Sequence, residues 1–334
     1  MEQPKFEEVL PDIYLLKIPF GPVWTGIILI RGEENILIDS SHLEPEQFLI
    51  PALAEQGLKP SDIDWLLNTH VHGDHIGGHH ALVTKYGLKT ATLAAAADAL
   101  RDPVKVAIRV RTRFPRNSPP PQSYLKGVEP DRLLQEGELL AGRMCAYATP
   151  GHDDDCLTWV DTKTGTAFTG DSLQANGTPT QGIGFYRSLS NYRTALAKLQ
   201  ALEIDNIVCG HFYDGIGDII KGKPAVAEAL DYCVARVKLY EEKLRGYVGG
   251  AVPLVAGASR PGELVPCTAH AEGAGRDAPH TEQGTDVTGA PRPGMEDEDR
   301  LVELALRLID EVGCGRPEAL FLALHTVSEH LKEF

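Results

Sequence analysis

The chain has 334 residues, 43% of them hydrophobic, enough for one large core with an extension or for two domains. Its 32 Lys and Arg stand against 47 Asp and Glu, a formal charge of −15 that opposes generic binding to nucleic acid or to an anionic membrane. The six cysteines form no CxxC pair, the N-terminus carries no apolar signal core and no stretch reaches a membrane span, so the sequence reads as a soluble, reduced, cytoplasmic protein.

In chain order, Glu8 to Ile18 reads as one edge strand interrupted by Pro11. Val23 to Ile30 and Asn35 to Ile38 are β-branched runs around Arg31-Gly32-Glu33-Glu34, a hairpin signal, and Asp39 closes the second run. Pro45 to Gln56 has Phe48, Leu49, Leu53 and Ala54 on one helical face. After the break at Lys59-Pro60-Ser61, Ile63 to Leu67 reads as a short buried strand. Thr69-His70-Val71-His72-Gly73-Asp74-His75-Ile76-Gly77-Gly78 follows, with four metal-competent side chains in six residues. His70 and His72, two apart on extended chain, face the same way, while Asp74 and His75 follow the bend and can face a second point. Imidazole with carboxylate suits zinc, and also iron or manganese. His79 to Tyr86 is helical and Leu88 to Leu93 can be another strand, so strands and helices alternate at the length of βα units.

Residues 101–126 break this rhythm, with Arg101, Lys105, Arg109, Arg111, Arg113, Arg116 and Lys126 against the single acid Asp102. Two readings stand. The segment is a solvated helix and Pro-rich loop that balances acids elsewhere, or it is a lid near the metal turn that draws in an anionic substrate. Glu138 to Leu140 and Met144 to Ala148 are strands, and Thr149-Pro150-Gly151-His152 ends the second in a turn followed by Asp153-Asp154-Asp155, to which the sequence assigns no role. Leu157 to Asp161 and Thr166 to Thr169 make a hairpin closed by Gly170-Asp171. Leu173 to Arg187, with Gln174, Thr178, Thr180, Gln181 and Tyr186, is a loop and candidate substrate wall. Ser190 is a plausible cap for a helix to Leu202, and Ile204 to Cys209 is a strand ending in Gly210-His211. Beyond it, Pro224 to Leu244 carries an apolar stripe of core character, and Leu301 to Val312 and Pro317 to Leu331 are two more helices. The domains are therefore read as 1–222, carrying the site, and 223–334, a helical extension that either covers the site mouth or pairs two subunits as a homodimer. A Gly-, Ala- and Pro-rich segment at 247–297 reads as a flexible linker, and its His270 and His280 are assigned no ligand.

The run from His70 to Gly78 resembles, letter for letter, the HxHxDH signature of the metallo-β-lactamase superfamily, and the resemblance covers roughly residues 7 to 215. It implies an αββα sandwich and three further ligands downstream, each on a loop after a strand; His152, Asp171 and His211 answer that demand. Carried over, His70, His72 and His152 bind one metal ion, Asp74, His75 and His211 a second, and Asp171 bridges two divalent ions, zinc first with iron or manganese as alternatives. Asp39 is similar to an aspartate that steadies the metal loop in this family, with a plain turn or cap role as the alternative. The activity implied is hydrolysis by a shared hydroxide, with Asp74 passing a proton to the leaving group.

Having both His75 and Asp171 is unlike true β-lactamases and similar to glyoxalase II, lactonases, acyl-carrier thioesterases and tRNA-processing nucleases. The acidic charge counts against the nuclease. Lactonases often carry a Tyr three residues after the bridging aspartate; here Gln174 holds that position, with Tyr186 and Tyr213 as possible substitutes. The expectation is an ester, thioester or lactone hydrolase acting on a small or carrier-linked acyl substrate of acidic character, without nucleic-acid or membrane partners. A mononuclear iron oxidoreductase of the persulfide-dioxygenase kind and a phosphodiesterase are the alternatives.

Overall fold

The computed structural model describes residues 3–178, 181–249, 295–315 and 319–334. Most of the 247–297 segment, with His270 and His280, and also Thr180 and Pro317, lie outside them.

Alternation at period two sets the layers. β1 (Phe6–Leu10), β2 (Ile13–Phe20), β3 (Val23–Ile30) and β4 (Ile36–Ile38) form an antiparallel run, and β5 (Trp65–Leu67), β6 (Thr90–Leu93) and β7 (Arg132–Leu134) extend it in parallel. The second sheet runs β8 (Leu139–Leu140), β9 (Met144–Ala148), β10 (Leu157–Asp161), β11 (Thr166–Gly170), β12 (Asn206–Tyr213) and β13 (Gly217–Lys221) from one edge to the other. Leu15, Ile28, Ile36 and Ile38 face inward and meet Met144, Trp159, Phe168 and Val208 of the opposing sheet. Their neighbours Leu16, Ile27, Leu29 and Leu37 face outward, where α1 (Leu49–Glu55) and α3 (His79–Tyr86) cover them through Leu49, Leu53 and Leu82.

The short α2 (Gly73–Ile76) precedes α3, and α4 (Ala97–Arg101) and α5 (Pro103–Thr112) follow β6. On the outer face of the second sheet lie α6 (Leu189–Ala201), α7 (Lys223–Gly249), α8 (Met295–Glu311) and α9 (Leu320–Leu331). Ala167, Ile207 and Ile220 of the sheet share one apolar cluster with Leu196, Leu230, Val237, Leu304, Leu308, Leu324 and Val327 of these helices. The result is helix, sheet, sheet, helix, the αββα sandwich.

Several boundaries differ from expectation for local reasons. Residues 6–20 are two paired strands rather than one interrupted strand. Pro11 offers no ladder N–H, and Asp12 takes the left-handed turn at φ 62° that reverses the chain. The first helix is shorter than Pro45 to Gln56, starting at Leu49. The α6 cap is Ser188, whose hydroxyl accepts from the Asn191 N–H at 3.3 Å, and Ser190 lies inside the helix. β12 runs on through residue 211, so His211 sits within a strand instead of on a loop after one.

One buried ion pair ties the sheets together. Arg143 donates through Nε and Nη2 to Asp161 at 2.9 and 2.5 Å and through Nη1 to the Arg31 carbonyl of the first sheet at 3.2 Å. Asp161→Ala leaves that guanidinium buried and unpaired, which costs about 3–5 kcal/mol; the expected outcome is a lower denaturant midpoint at unchanged slope.

Candidate metal centre

The turn after β5 and the short α2 that follows it deliver four of the seven expected side chains. Asp39, at the end of β4, fixes that turn: its carboxylate accepts from the Thr69 N–H and hydroxyl, each at 2.7 Å, and from His75 Nδ1 at 2.8 Å. The three remaining side chains arrive from the second sheet. His152 follows β9, Asp171 follows β11, and His211 lies near the end of β12, where pairing with β13 becomes irregular between Val208 and Tyr213. Two glycines make the approach possible. A Cβ at Gly170, which has φ +49°, would fall 2.3 Å from Thr69 Oγ1, and one at Gly210 would fall 2.8 Å from His75 Cε1.

All seven converge. His70, His72 and His152 offer ligand atoms within 4.8 Å of one another, as do His70, His75 and Asp171, and again Asp74, His75 and His211. Each outer ring nitrogen but one is held by an acid or a carbonyl, which aims the other inward. His75 Nδ1 is held by Asp39, His152 Nδ1 donates to the Phe185 carbonyl at 2.9 Å, and His211 Nδ1 donates to the Trp24 carbonyl at 2.6 Å. His72 is turned the other way, with Nε2 held by Asp153 at 3.1 Å and Nδ1 facing the cluster. His70 Nδ1 lies 3.2 Å from Thr69 Oγ1.

The inward atoms suit cations. His72 Nδ1 and His152 Nε2 are 3.1 Å apart, and His75 Nε2 and His211 Nε2 3.3 Å. A tetrahedral ion with nitrogen bonds of about 2.0–2.1 Å sets its ligands about 3.3 Å apart. His70 Nε2 and Asp171 Oδ1 are buried without a hydrogen-bond partner. Asp171 presents one oxygen to each half of the cluster, Oδ2 3.4 Å from His152 Nε2 and Oδ1 3.3 and 3.5 Å from the Nε2 atoms of His75 and His211. Asp74 Oδ2 lies 3.3 Å from His211 Nε2.

The protonation pattern divides along the same line. Burial holds His70 well below its ordinary value, aided by the neighbouring imidazoles, and lowers His152 to about 4. Burial opposes charge on His75 and His211 too, but the carboxylates of Asp171 and Asp74 outweigh it, lifting His75 well above its usual value and His211 to about 10. The half richer in carboxylates therefore holds protons in positions that cations can take.

The acidic triplet after His152 has a defined place. Asp153, fully buried, accepts from His72, Arg187 and Arg109, with Arg187 Nη1 at 2.7 Å. Asp155 accepts from the Val71 N–H at 2.8 Å, and burial beside Asp153 pushes its carboxyl up to about 6. Asp153 and Asp155 thus brace the first metal turn from behind, while Asp154 pairs with Arg109. Sequence reasoning passed over Arg187 and left Arg109 within an undivided charge run; the signal on offer was three acids beside a histidine in a chain with an isolated basic segment.

A cavity of about 110 Å³ opens onto His72, Asp74, His152, Asp171 and His211. Thr178, Gln181 and Phe185 line it from the 173–187 loop, Arg111 and Val110 from α5, and Leu322 from α9. Gln174 serves the frame instead, donating to the Asp171 carbonyl at 2.7 Å and accepting from the Phe185 N–H at 2.8 Å. Tyr186 is bonded to His330 Nε2 at 2.6 Å and Tyr213 lies 3.4 Å from Gln174 Nε2; neither lines the cavity.

Similar proteins point the same way. A model of the Metallo-beta-lactamase superfamily matches residues 18–211. A hydroxyacylglutathione hydrolase of Chelativorans sp. (strain BNC1) is 30% identical over 190 residues, covering 56% of this chain and 62% of that protein. An atrochrysone carboxyl ACP thioesterase of Pseudocercospora fijiensis is 23% identical, covering 57% of this chain and 46% of its own length. The chain thus spans less than two thirds of these curated relatives. A metallo-beta-lactamase family protein of Thermus thermophilus shares the fold at TM-score 0.64 and 20% identity, over 98% of this chain and 95% of that one. No helix among the described residues is long and apolar enough to cross a membrane.

The brace behind the metal turn is open to test. Asp39 has φ 63°, a conformation asparagine tolerates, so Asp39→Asn keeps the turn while removing the charge that holds His75. The expected outcome is metal affinity lower by about 10–100-fold in chelator competition, with the circular dichroism spectrum unchanged.

Proposed function

The chain belongs to the metallo-beta-lactamase superfamily, and from that membership and the site's geometry we propose that it is a metal-dependent hydrolase of an ester, thioester or lactone bond. The observation that carries this reading is Asp171, whose two oxygens face the two halves of one buried cluster. In this reading His70, His72 and His152 hold one divalent ion, Asp74, His75 and His211 a second, and Asp171 joins them. When bound, such ions supply hydroxide at neutral pH and polarise the scissile carbonyl.

The chain's own residues do the rest. Asp74 lines the cavity and is the more exposed of its two acids, with 19% of its side chain accessible, and its carboxylate is held well below its usual range by His75 and His211 against the cost of burial. In this reading Asp74, as a carboxylate at the cavity, takes a proton from the attacking water and returns it to the leaving oxygen or sulfur. Val71, Val110, Phe185 and Leu322 keep the cavity apolar beside the cluster, which limits water and strengthens the interactions made there. No side-chain nucleophile is required. The substrate we propose is a small or carrier-linked acyl compound of acidic character, in keeping with relatives named as a hydroxyacylglutathione hydrolase and an ACP thioesterase.

Metal content per chain and a panel of thioesters, esters, lactones and phosphodiesters, assayed with added zinc or manganese, test the reading together. The expected result is about two ions per chain and turnover of an acyl substrate that chelator removes and metal restores, with Asp74→Asn lowering kcat by about 10²–10⁴. Turnover of phosphodiesters alone, or a single iron with oxygen uptake, overturns it.

A further inference from the structure

The basic segment resolves into cations that are occupied and one that faces the site. Arg101 pairs with Asp98 and Glu129, Lys105 with Asp102, Arg109 with Asp153 and Asp154, Arg113 with Glu329, and Arg116 with Asp299. Arg111 and Lys126 make no ion pair among the described residues. Lys126 is exposed to solvent, whereas Arg111 lines the cavity that holds Asp74 and His211.

Arg111 is also fixed. Its Cζ lies 4.4 Å from the centroid of the Phe321 ring, so the guanidinium rests on an aromatic face contributed by α9. That contact orients the planar fork by its face, while no ion pair among the described residues takes up its N–H donors. Burial in the wall disfavours its charge, and the acid that compensates is Asp74 across the cavity. In the proposed function Asp74 is committed to a cation, so its compensation for Arg111 is weakened. The cavity that both line also has the apolar side chains Val110, Leu125, Phe185 and Leu322, beside Gln122, Thr178 and Gln181.

Resting on the hydrolase reading above, we propose that Arg111, seated on Phe321, is the subsite for a fixed anion on the substrate, a carboxylate or a phosphate, joined to the scissile carbonyl by an apolar spacer. Arg111 acts on recognition rather than on the reacting bond. The C-terminal helix α9 becomes a specificity element, since Phe321 orients the guanidinium and Leu322 lines the cavity.

The test uses the full-length, metal-loaded chain and two compounds that cannot be hydrolysed, hexanesulfonate and hexyl methyl sulfone. A sulfonate is a permanent anion and a poor ligand for divalent ions, so its affinity reports the guanidinium rather than the metal centre. Calorimetry is expected to show the sulfonate bound at least about tenfold tighter than the sulfone by the wild type, and within about twofold of it by Arg111→Met, with Arg111→Lys between. Phe321→Leu, which keeps apolar packing but removes the ring, narrows the preference a few-fold without changing sulfone affinity. Melting temperatures establish that each variant is folded. Equal binding of the two compounds by the wild type, or an undiminished preference in Arg111→Met, overturns the subsite. Because neither compound is cleaved, this result stands apart from the activity assay: acyl turnover without anion preference sinks the subsite and leaves the hydrolase, while anion preference without turnover does the reverse.

Discussion

Five imidazoles and two carboxylates share one largely buried space, and that crowding is the constraint on which the rest of the structure depends. Ring nitrogens 3.1 and 3.3 Å apart repel when both present lone pairs, and a carboxylate out of water needs positive charge nearby. Protons on His75 and His211 would meet part of that need, since both rings face Asp171 Oδ1, but His70 Nε2 is buried with no hydrogen-bond partner. Divalent cations meet all of it at once. The surrounding fold can be understood as the means of holding seven such groups together when, without cations, they would separate.

It does so with backbone and charge rather than with flexible side chains. Asp39 grips Thr69 and His75, Trp24 and Phe185 lend carbonyls to His211 and His152, and Asp153 turns His72 so that its other nitrogen faces inward. Asp153 is itself a buried anion and is stabilised by Arg187 and Arg109. One arm of the basic segment, Arg109, is therefore spent on the frame of the metal centre and does not line the cavity beside the ligands. Most of the segment's cations balance acids, as the first reading of it has it, while Arg111 lines the cavity without an ion pair among the described residues.

How much of this could be read from sequence follows from how local each feature is. The turn from His70 to His75 is contiguous and its chemistry is dense, so its residues declare themselves. The sandwich is legible because strands such as Ile36-Leu37-Ile38 and the helix His79–Tyr86 carry their periodicity within a few residues. His152, Asp171 and His211 are each unremarkable alone, and only resemblance ties them to the turn. The Trp24 carbonyl that orients His211 is 187 positions away and carries no side-chain identity, so no pattern announces it. Ser188 and Ser190 are equally good caps on paper; the extended backbone at Ser188, φ −140°, makes it the cap. Nor does a sequence say that Arg109 turns toward Asp153 while Arg111, two residues on, turns toward Phe321, because α5 must first be laid between the site and α9.

That placement of α5 joins the chemistry of one half of the chain to packing in the other. Arg113 is paired with Glu329 and bonded to Ser328, the Val110 carbonyl lies 3.0 Å from His325 Nε2, and Arg111 lies over Phe321, so the last turn of α5 and its cap are fastened to α9 at three points. α9 in turn is embedded in the apolar cluster on the outer face of the second sheet through Leu324 and Val327. The wall of the cavity is thus only as firm as the seating of the final helix, whereas the metal turn is fixed independently by Asp39 from the first sheet. Under this arrangement α9 reaches both functions of the site: Leu322 lines the cavity, and Thr326 bonds the Gly184 carbonyl and the Tyr186 N–H on either side of Phe185, whose carbonyl holds His152, while the four ligands from His70 to His75 are held from the first sheet.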